Sequence, residues 1–86
     1  MKMVIVTLTC TAAAAEKSYD LEMPCQVPAR PLIAHICQTI NLYTEGAVDL
    51  QPQGLRLWCR RLERALSPEE TLEDAGIWNG DHIDLK

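Results

Sequence analysis

Catalysis needs nucleophiles, bases or metal ligands within reach of one another, and the candidates in this chain are few. There are two histidines, His35 and His82, and four cysteines, Cys10, Cys25, Cys37 and Cys59. No Cys-x-x-Cys pair supplies two thiolates to one tetrahedral ion, so no structural metal site is expected. His35 falls on the polar side of a helical segment and reads as a solvated residue. Neither histidine has a cysteine or carboxylate at a spacing that would pair a base with its nucleophile or its orienting group. Glu69, Glu70, Glu73 and Asp74 read as a solvated face. The four glycines stand apart, so no glycine-rich loop cradles a phosphate. The expectation is a protein that is not an enzyme and needs no cofactor or metal.

What remains is the chemistry of contact. Trp58 lies between Arg56 and Arg60, the combination of aromatic and guanidinium groups enriched at protein interfaces. Trp78, beside a turn, is a second and lesser aromatic candidate, since it could plug the end of the core. With Arg61 and Arg64, Arg56 and Arg60 form the one basic cluster of the chain, read as the solvated face of a strand and loop. The net charge is −4 and the isoelectric point near 5.0. This balance argues against nucleic acid as a partner, since phosphates require a basic surface.

The elements that position these residues follow from patterning. At 86 residues the chain makes one domain, 1–86. It is 48% apolar and contains no Phe, so its core must be aliphatic. Val4, Val6, Leu8 and Cys10 alternate with Ile5, Thr7 and Thr9 in a first strand. Thr11–Glu16 is a hairpin turn, and Lys17–Pro24 alternates again, with Tyr19, Leu21 and Met23 on one side. The helical period is clear over about residues 28–43, where Leu32, Ile33, Ile36, Cys37 and Ile40 share one face. Thr44–Gly54 is a loop, with one short turn at Val48–Leu50. Leu55–Arg61 is a third strand with Leu55, Leu57 and Cys59 inward and Arg56, Trp58 and Arg60 outward. Leu62 and Leu66 anchor a short fourth strand or a turn. Thr71–Asp74 forms one capped helical turn closed by Gly76. Asn79-Gly80-Asp81 is a turn, and His82–Lys86 is the last strand, with Ile83 and Leu85 inward. The first and last strands should lie side by side in the middle of the sheet.

No apolar run of about 18 residues is present, so no membrane insertion is expected. Met1–Thr9 reads as a strand and not as a signal peptide. The chain is therefore placed in the cytoplasm, with cysteines reduced and Cys37 and Cys59 acting as small buried hydrophobes.

The element order, with Arg56-Leu57-Trp58-Cys59, Thr71-Leu72-Glu73-Asp74-Ala75-Gly76-Ile77 and Ile83-Asp84-Leu85, resembles ubiquitin-like domains. A narrower likeness rests on Tyr19-Asp20-Leu21-Glu22-Met23-Pro24, on Pro28 with Leu32-Ile33 four residues on, and on Asp74-Ala75-Gly76-Ile77-Trp78-Asn79-Gly80-Asp81. Over nearly its whole length the chain is similar to the small bacterial ubiquitin-like proteins of the YukD/EsaB type, which accompany type VII (ESX-type) secretion. The resemblance implies an α+β, ubiquitin-like β-grasp fold, a four- to five-stranded mixed sheet packed on one helix. It implies a cytoplasmic, non-enzymatic accessory factor whose partner is a component of that secretion machinery, and a homodimer is a further possibility.

In ubiquitin-like domains the position matching Trp58 belongs to the apolar patch that partners grip. The expected protein-binding patch is therefore Trp58 with Arg56, Arg60, Asp84 and Ile5, bordered by Lys86. Two alternatives accompany this reading. One is a modifier or sulfur carrier, which acts through a terminal Gly-Gly, whereas this sequence ends Ile83-Asp84-Leu85-Lys86. The other is the cytoplasmic ubiquitin-like domain of a larger membrane component.

Overall fold

A computed structural model describes residues 2–10, 17–47 and 49–86. The expected hairpin turn at Thr11–Glu16 lies outside the described residues, as does Val48 of the short turn expected at Val48–Leu50. Five strands and two helices follow in the order β1 (Met3–Cys10), β2 (Lys17–Pro24), α1 (Ala29–Tyr43), β3 (Leu57–Cys59), β4 (Arg64–Ala65), α2 (Leu72–Ala75) and β5 (His82–Leu85). The sheet order is β2-β1-β5-β3-β4. β1 runs parallel to β5, and the other neighbours are antiparallel. This is the mixed β-grasp sheet expected from the sequence, with the first and last strands central.

Alternation divides the sheet into two faces. Val4, Val6, Leu8 and Cys10 of β1, Met23 of β2, Leu57 and Cys59 of β3, and Ile83 and Leu85 of β5 are buried on the inner face. They meet Leu32, Ile33, Ile36, Cys37 and Ile40 of α1, the stripe drawn from the helical period. All four cysteines are buried and unbridged.

The start of α1 has no side-chain cap. Its first donors are taken instead by a distant loop: Ala29 N–H donates to the Glu70 carbonyl and Arg30 N–H to the Pro68 carbonyl, both at 2.9 Å. Pro31 has no N–H to satisfy. At the other end Asn41 reaches beyond the helix. Its carboxamide donates to the Leu50 carbonyl at 3.0 Å and accepts from Leu50 N–H at 2.7 Å. This pins the long loop and sets Leu50 into the core.

β3 is shorter than the expected 55–61. The chain leaves the sheet at Arg60, with Glu63 in the left-handed region at φ 53° and its N–H bonded back to the Arg60 carbonyl. The turn sends Arg61 away from the sheet toward Asp81. α2 is the capped turn expected: Thr71 Oγ1 accepts from Asp74 N–H at 3.0 Å, and Gly76 closes it at φ 74°.

Candidate functional site

The outer face of the sheet carries the candidate patch. β3 presents Trp58 between the inward Leu57 and Cys59, and the register sets it opposite Asp84 of β5 and Ala65 of β4. Trp58 is half-buried there. Lys86 Nζ stands 5.0 Å from the ring centroid, within cation–π range. The Arg56 and Lys86 backbones exchange hydrogen bonds of 2.8 and 3.1 Å, which extend the β3–β5 ladder and hold both side chains beside the indole strand. Arg56 is exposed.

Asp84 is the surprise of this face. Although outward, it is only 5% exposed. Arg60 clasps it in bidentate fashion, Nε to Oδ2 at 2.9 Å and Nη2 to Oδ1 at 2.8 Å. These hydrogen bonds hold the Asp84 carboxyl below the usual carboxylate range against the opposing effect of burial, and the charges of Arg60, His82 and Lys86 act in the same direction. Arg60 and Asp84 thus form a structural clasp at the edge of the Trp58 surface, with Arg60 as its exposed member.

Between Trp58 and the far strands the face is laced with polar bonds. Thr9, 1% exposed, shares its hydroxyl with Ser18 Oγ and His82 Nε2. Thr7 Oγ1 donates to Asp20 Oδ1 at 2.9 Å. A threonine, a histidine and an aspartate side by side invite comparison with a nucleophile relay, but the geometry differs. In a relay the carboxylate and the hydroxyl hold opposite ring nitrogens. Here the Thr9 hydroxyl bonds Nε2, and the nearest Asp84 oxygen approaches the same nitrogen at 4.0 Å. The hydroxyl is also sealed from solvent.

Ile5 is 52% exposed but lies apart from this surface. It sits four residues before Thr9, which is registered with Asp84. At about 3.4 Å per residue and about 4.8 Å per strand, Ile5 and Trp58 are about 16 Å apart. The four remaining patch residues gather around the β3–β5 ladder, and Ile5 lies instead beside the 79–80 turn.

That turn follows Trp78, the second aromatic candidate. Trp78 is 63% exposed. Its turn docks on β1, with Ile5 N–H donating to Asn79 Oδ1 at 2.9 Å and Gly80 N–H to the Ile5 carbonyl at 2.8 Å. The Arg61 guanidinium lies 3.7 Å from the indole centroid and grips the Asp81 carboxylate through two 2.9 Å bonds. Asp81 also accepts Trp78 N–H at 2.8 Å. The Arg61 hydrogen bonds, opposed by burial and aided by the Trp78 N–H, hold the Asp81 carboxyl below its usual range. The Asn79-Gly80-Asp81 signal gave the turn. It gave no hint that Arg61, 20 residues earlier, would hold the indole outside.

Other charges read as solvated also pair. Arg64 holds Glu70 in bidentate fashion at 2.8 and 2.9 Å, Lys2 meets Glu73 at 3.3 Å and Arg30 meets Glu69 at 3.4 Å. Among the described residues no group of three His, Cys, Asp or Glu side chains could hold a metal ion.

The sequence model of one family, described as WXG100 protein secretion system (Wss), protein YukD, matches residues 3–85. The chain belongs to the YukD family. Among solved structures, it resembles the EccD5 ubiquitin-like domain from Mycobacterium xenopi at TM-score 0.73 and 18% identity, covering 100% of this chain and 94% of that one. The ubiquitin-like domain of the Mycobacterium tuberculosis type VII secretion protein EccD1 matches at TM-score 0.71 and 22% identity, over 99% and 98% of the two chains. A ubiquitin of Caldiarchaeum subterraneum matches at TM-score 0.71 and 21% identity, over 98% and 91%. At these identities the structures establish the ubiquitin-like fold. None of the curated proteins matches this chain.

Proposed function

We propose that this YukD-family protein is a non-enzymatic interaction module that works on the cytoplasmic side of a WXG100 (type VII) secretion apparatus, binding a protein component of it through the outer face of the sheet around Trp58. The observation that carries the reading is the family match across residues 3–85. The solved domains of similar fold point the same way, since two of them are ubiquitin-like domains of EccD proteins. Among the described residues no helix is long and apolar enough to cross a membrane.

Trp58 supplies the anchor, a half-buried indole on a rigid strand pair with Lys86 and Arg56 beside it. Rigid aromatic side chains lose little entropy when a partner covers them. Arg60 borders the anchor and holds Asp84 in place, and Ile5 with Trp78 offers a second contact about 16 Å away. The His82 geometry supports the non-enzymatic reading, because its hydroxyl neighbour is sealed. Self-pairing through the β2 edge is disfavoured on charge. In either centred antiparallel register, Asp20 would face the Asp20 or the Glu22 of a second copy, and directly opposed like charges destabilise a ladder.

The test is affinity purification from detergent-solubilised cells, wild type beside Trp58→Ala. The proposal expects secretion-apparatus proteins with wild type and a loss of about tenfold or more with the variant, the scale of an interface hot spot. Equal recovery would remove the Trp58 face from the account, and recovery of an activating enzyme would favour a carrier instead.

A further inference from the structure

On the other side of the sheet lies an open cleft of about 490 Å³, between the first half of α1 and the segment that leads into β3. Its volume lies within the range of small-ligand and anchor-residue pockets. Ile33, Leu55 and Leu66 form an aliphatic floor, and Ala34 leaves the helix side open. The walls are tied at several points. Ala29 and Arg30 are bonded to the 68–70 loop, Leu55 N–H turns back to the Pro52 carbonyl at 3.3 Å, and Arg56 is laddered to Lys86. A cleft with fixed walls pays little ordering entropy on binding.

The charge around it runs against the rest of the molecule. The chain carries 12 carboxylates and 8 Lys and Arg, yet the ionisable residues lining the cleft are Arg30 and Arg56, and no carboxylate lines it. Arg30 has one exposed partner, Glu69 at 3.4 Å, a weak surface pair that an incoming carboxylate can replace. Gln53 also lines the cleft, and its carboxamide has both a donor and an acceptor to offer a peptide unit.

We propose that this cleft is a second docking site, which takes a short acidic peptide segment of a partner protein. One large apolar side chain of that segment, such as Leu or Phe, fills the aliphatic floor. Flanking carboxylates meet Arg30 and Arg56, and the Gln53 carboxamide pairs with the backbone. The aliphatic floor fixes the anchor, the two arginines fix the sign of the flanks, and Gln53 favours a peptide over a hydrocarbon chain. The cleft shares Arg56 with the border of the Trp58 surface, but its aliphatic residues Ile33, Leu55 and Leu66 are not part of that surface.

The test uses fluorescein-labelled, acetylated eight-residue peptides with a central Leu flanked by Asp and Glu. Controls carry Ala in place of Leu, or Lys in place of the acids. Binding is read by fluorescence anisotropy at low salt and located by amide chemical shifts in ¹⁵N-labelled protein. The acidic Leu peptide should bind about tenfold more tightly than either control, the scale of two surface charge contacts and one anchor. Its shifts should centre on residues 30–34 and 52–56. Arg30→Glu with Arg56→Glu should invert the order in favour of the Lys peptide, and Ala34→Trp should block both by filling the cleft. Trp58→Ala should leave the peptide affinity unchanged, which separates this site from the sheet-face reading. Unaltered far-ultraviolet circular dichroism shows that the variants fold. Equal binding of acidic and basic peptides, shifts centred elsewhere or no binding at millimolar peptide would each overturn the proposal. So would displacement of the peptide by dodecanoate with the same shifts, which would mark a lipid carboxylate site.

Discussion

Asp84→Asn tests the finding that an outward residue of the candidate face is structural. The substitution keeps the side chain's size and one acceptor oxygen, and removes its charge. Asp84 is 5% exposed, and its carboxylate receives two hydrogen bonds from Arg60, at 2.8 and 2.9 Å. Hydrogen bonds to a charged group contribute about 1.5–3 kcal/mol. Arg60 itself is half exposed, so solvent screening brings the expected loss toward about 1–2 kcal/mol. For a domain of this size each kcal/mol moves Tm by about 4–8 °C. Urea unfolding of both proteins across a pH series supplies the sign. The folded-state carboxyl is held below its ordinary value of 3.8. Its contribution is therefore fully present above pH 3.8 and is lost as pH falls through the lower folded-state value. The gap between wild type and variant should be present at neutral pH and close in acid, where wild-type Asp84 is itself neutral. A gap under about 0.5 kcal/mol at neutral pH, the size of an ordinary surface substitution, would refute the clasp. A gap that persists unchanged in acid would show that its origin is not the charge.

Two further outcomes test the core. Ile36→Ala, at the centre of the buried helix stripe, should cost about 2–5 kcal/mol in the same unfolding assay, and a loss under about 1 kcal/mol would mean that the stripe is wrongly drawn. The four buried thiols should resist Ellman's reagent in native buffer and react together on unfolding, with Cys37 slowest because burial, and then its neighbour Cys10, pushes its pKa up. Rapid reaction of any one of the four in the folded protein would contradict the packing described.

The parts of the fold that were legible in the sequence are those fixed by local period and local turn chemistry. Alternation at Val4, Val6, Leu8 and Cys10 assigned the inner face. The spacing of Leu32, Ile36 and Ile40 drew the helix stripe. Thr71 and Gly76 marked both ends of α2, because a cap and a left-handed closure each act within four residues. What escaped depends on partners far along the chain. Asp84 reads as a member of the binding patch until Arg60, 24 residues earlier, is folded against it. Trp78 could have plugged the core, and only the Arg61–Asp81 pair and the Asn79 contact to β1 show why it stands outside. The start of α1 offered no capping residue to read, since its donors are met by carbonyls of Pro68 and Glu70. The candidate site was legible as a set of outward positions on β3, whereas the separation of Ile5 from Trp58 required the strand order and register.

The central claim is that the Trp58 face of this YukD-family domain touches the secretion apparatus. Site-specific photo-cross-linking in living cells tests it most directly, with a photoreactive phenylalanine placed at position 58 and, separately, at the exposed helix position Gln38. The account predicts an adduct with a protein of the secretion apparatus from position 58 and none from position 38. Adducts from position 38 alone, or from neither position while affinity purification still recovers the apparatus, would contradict it.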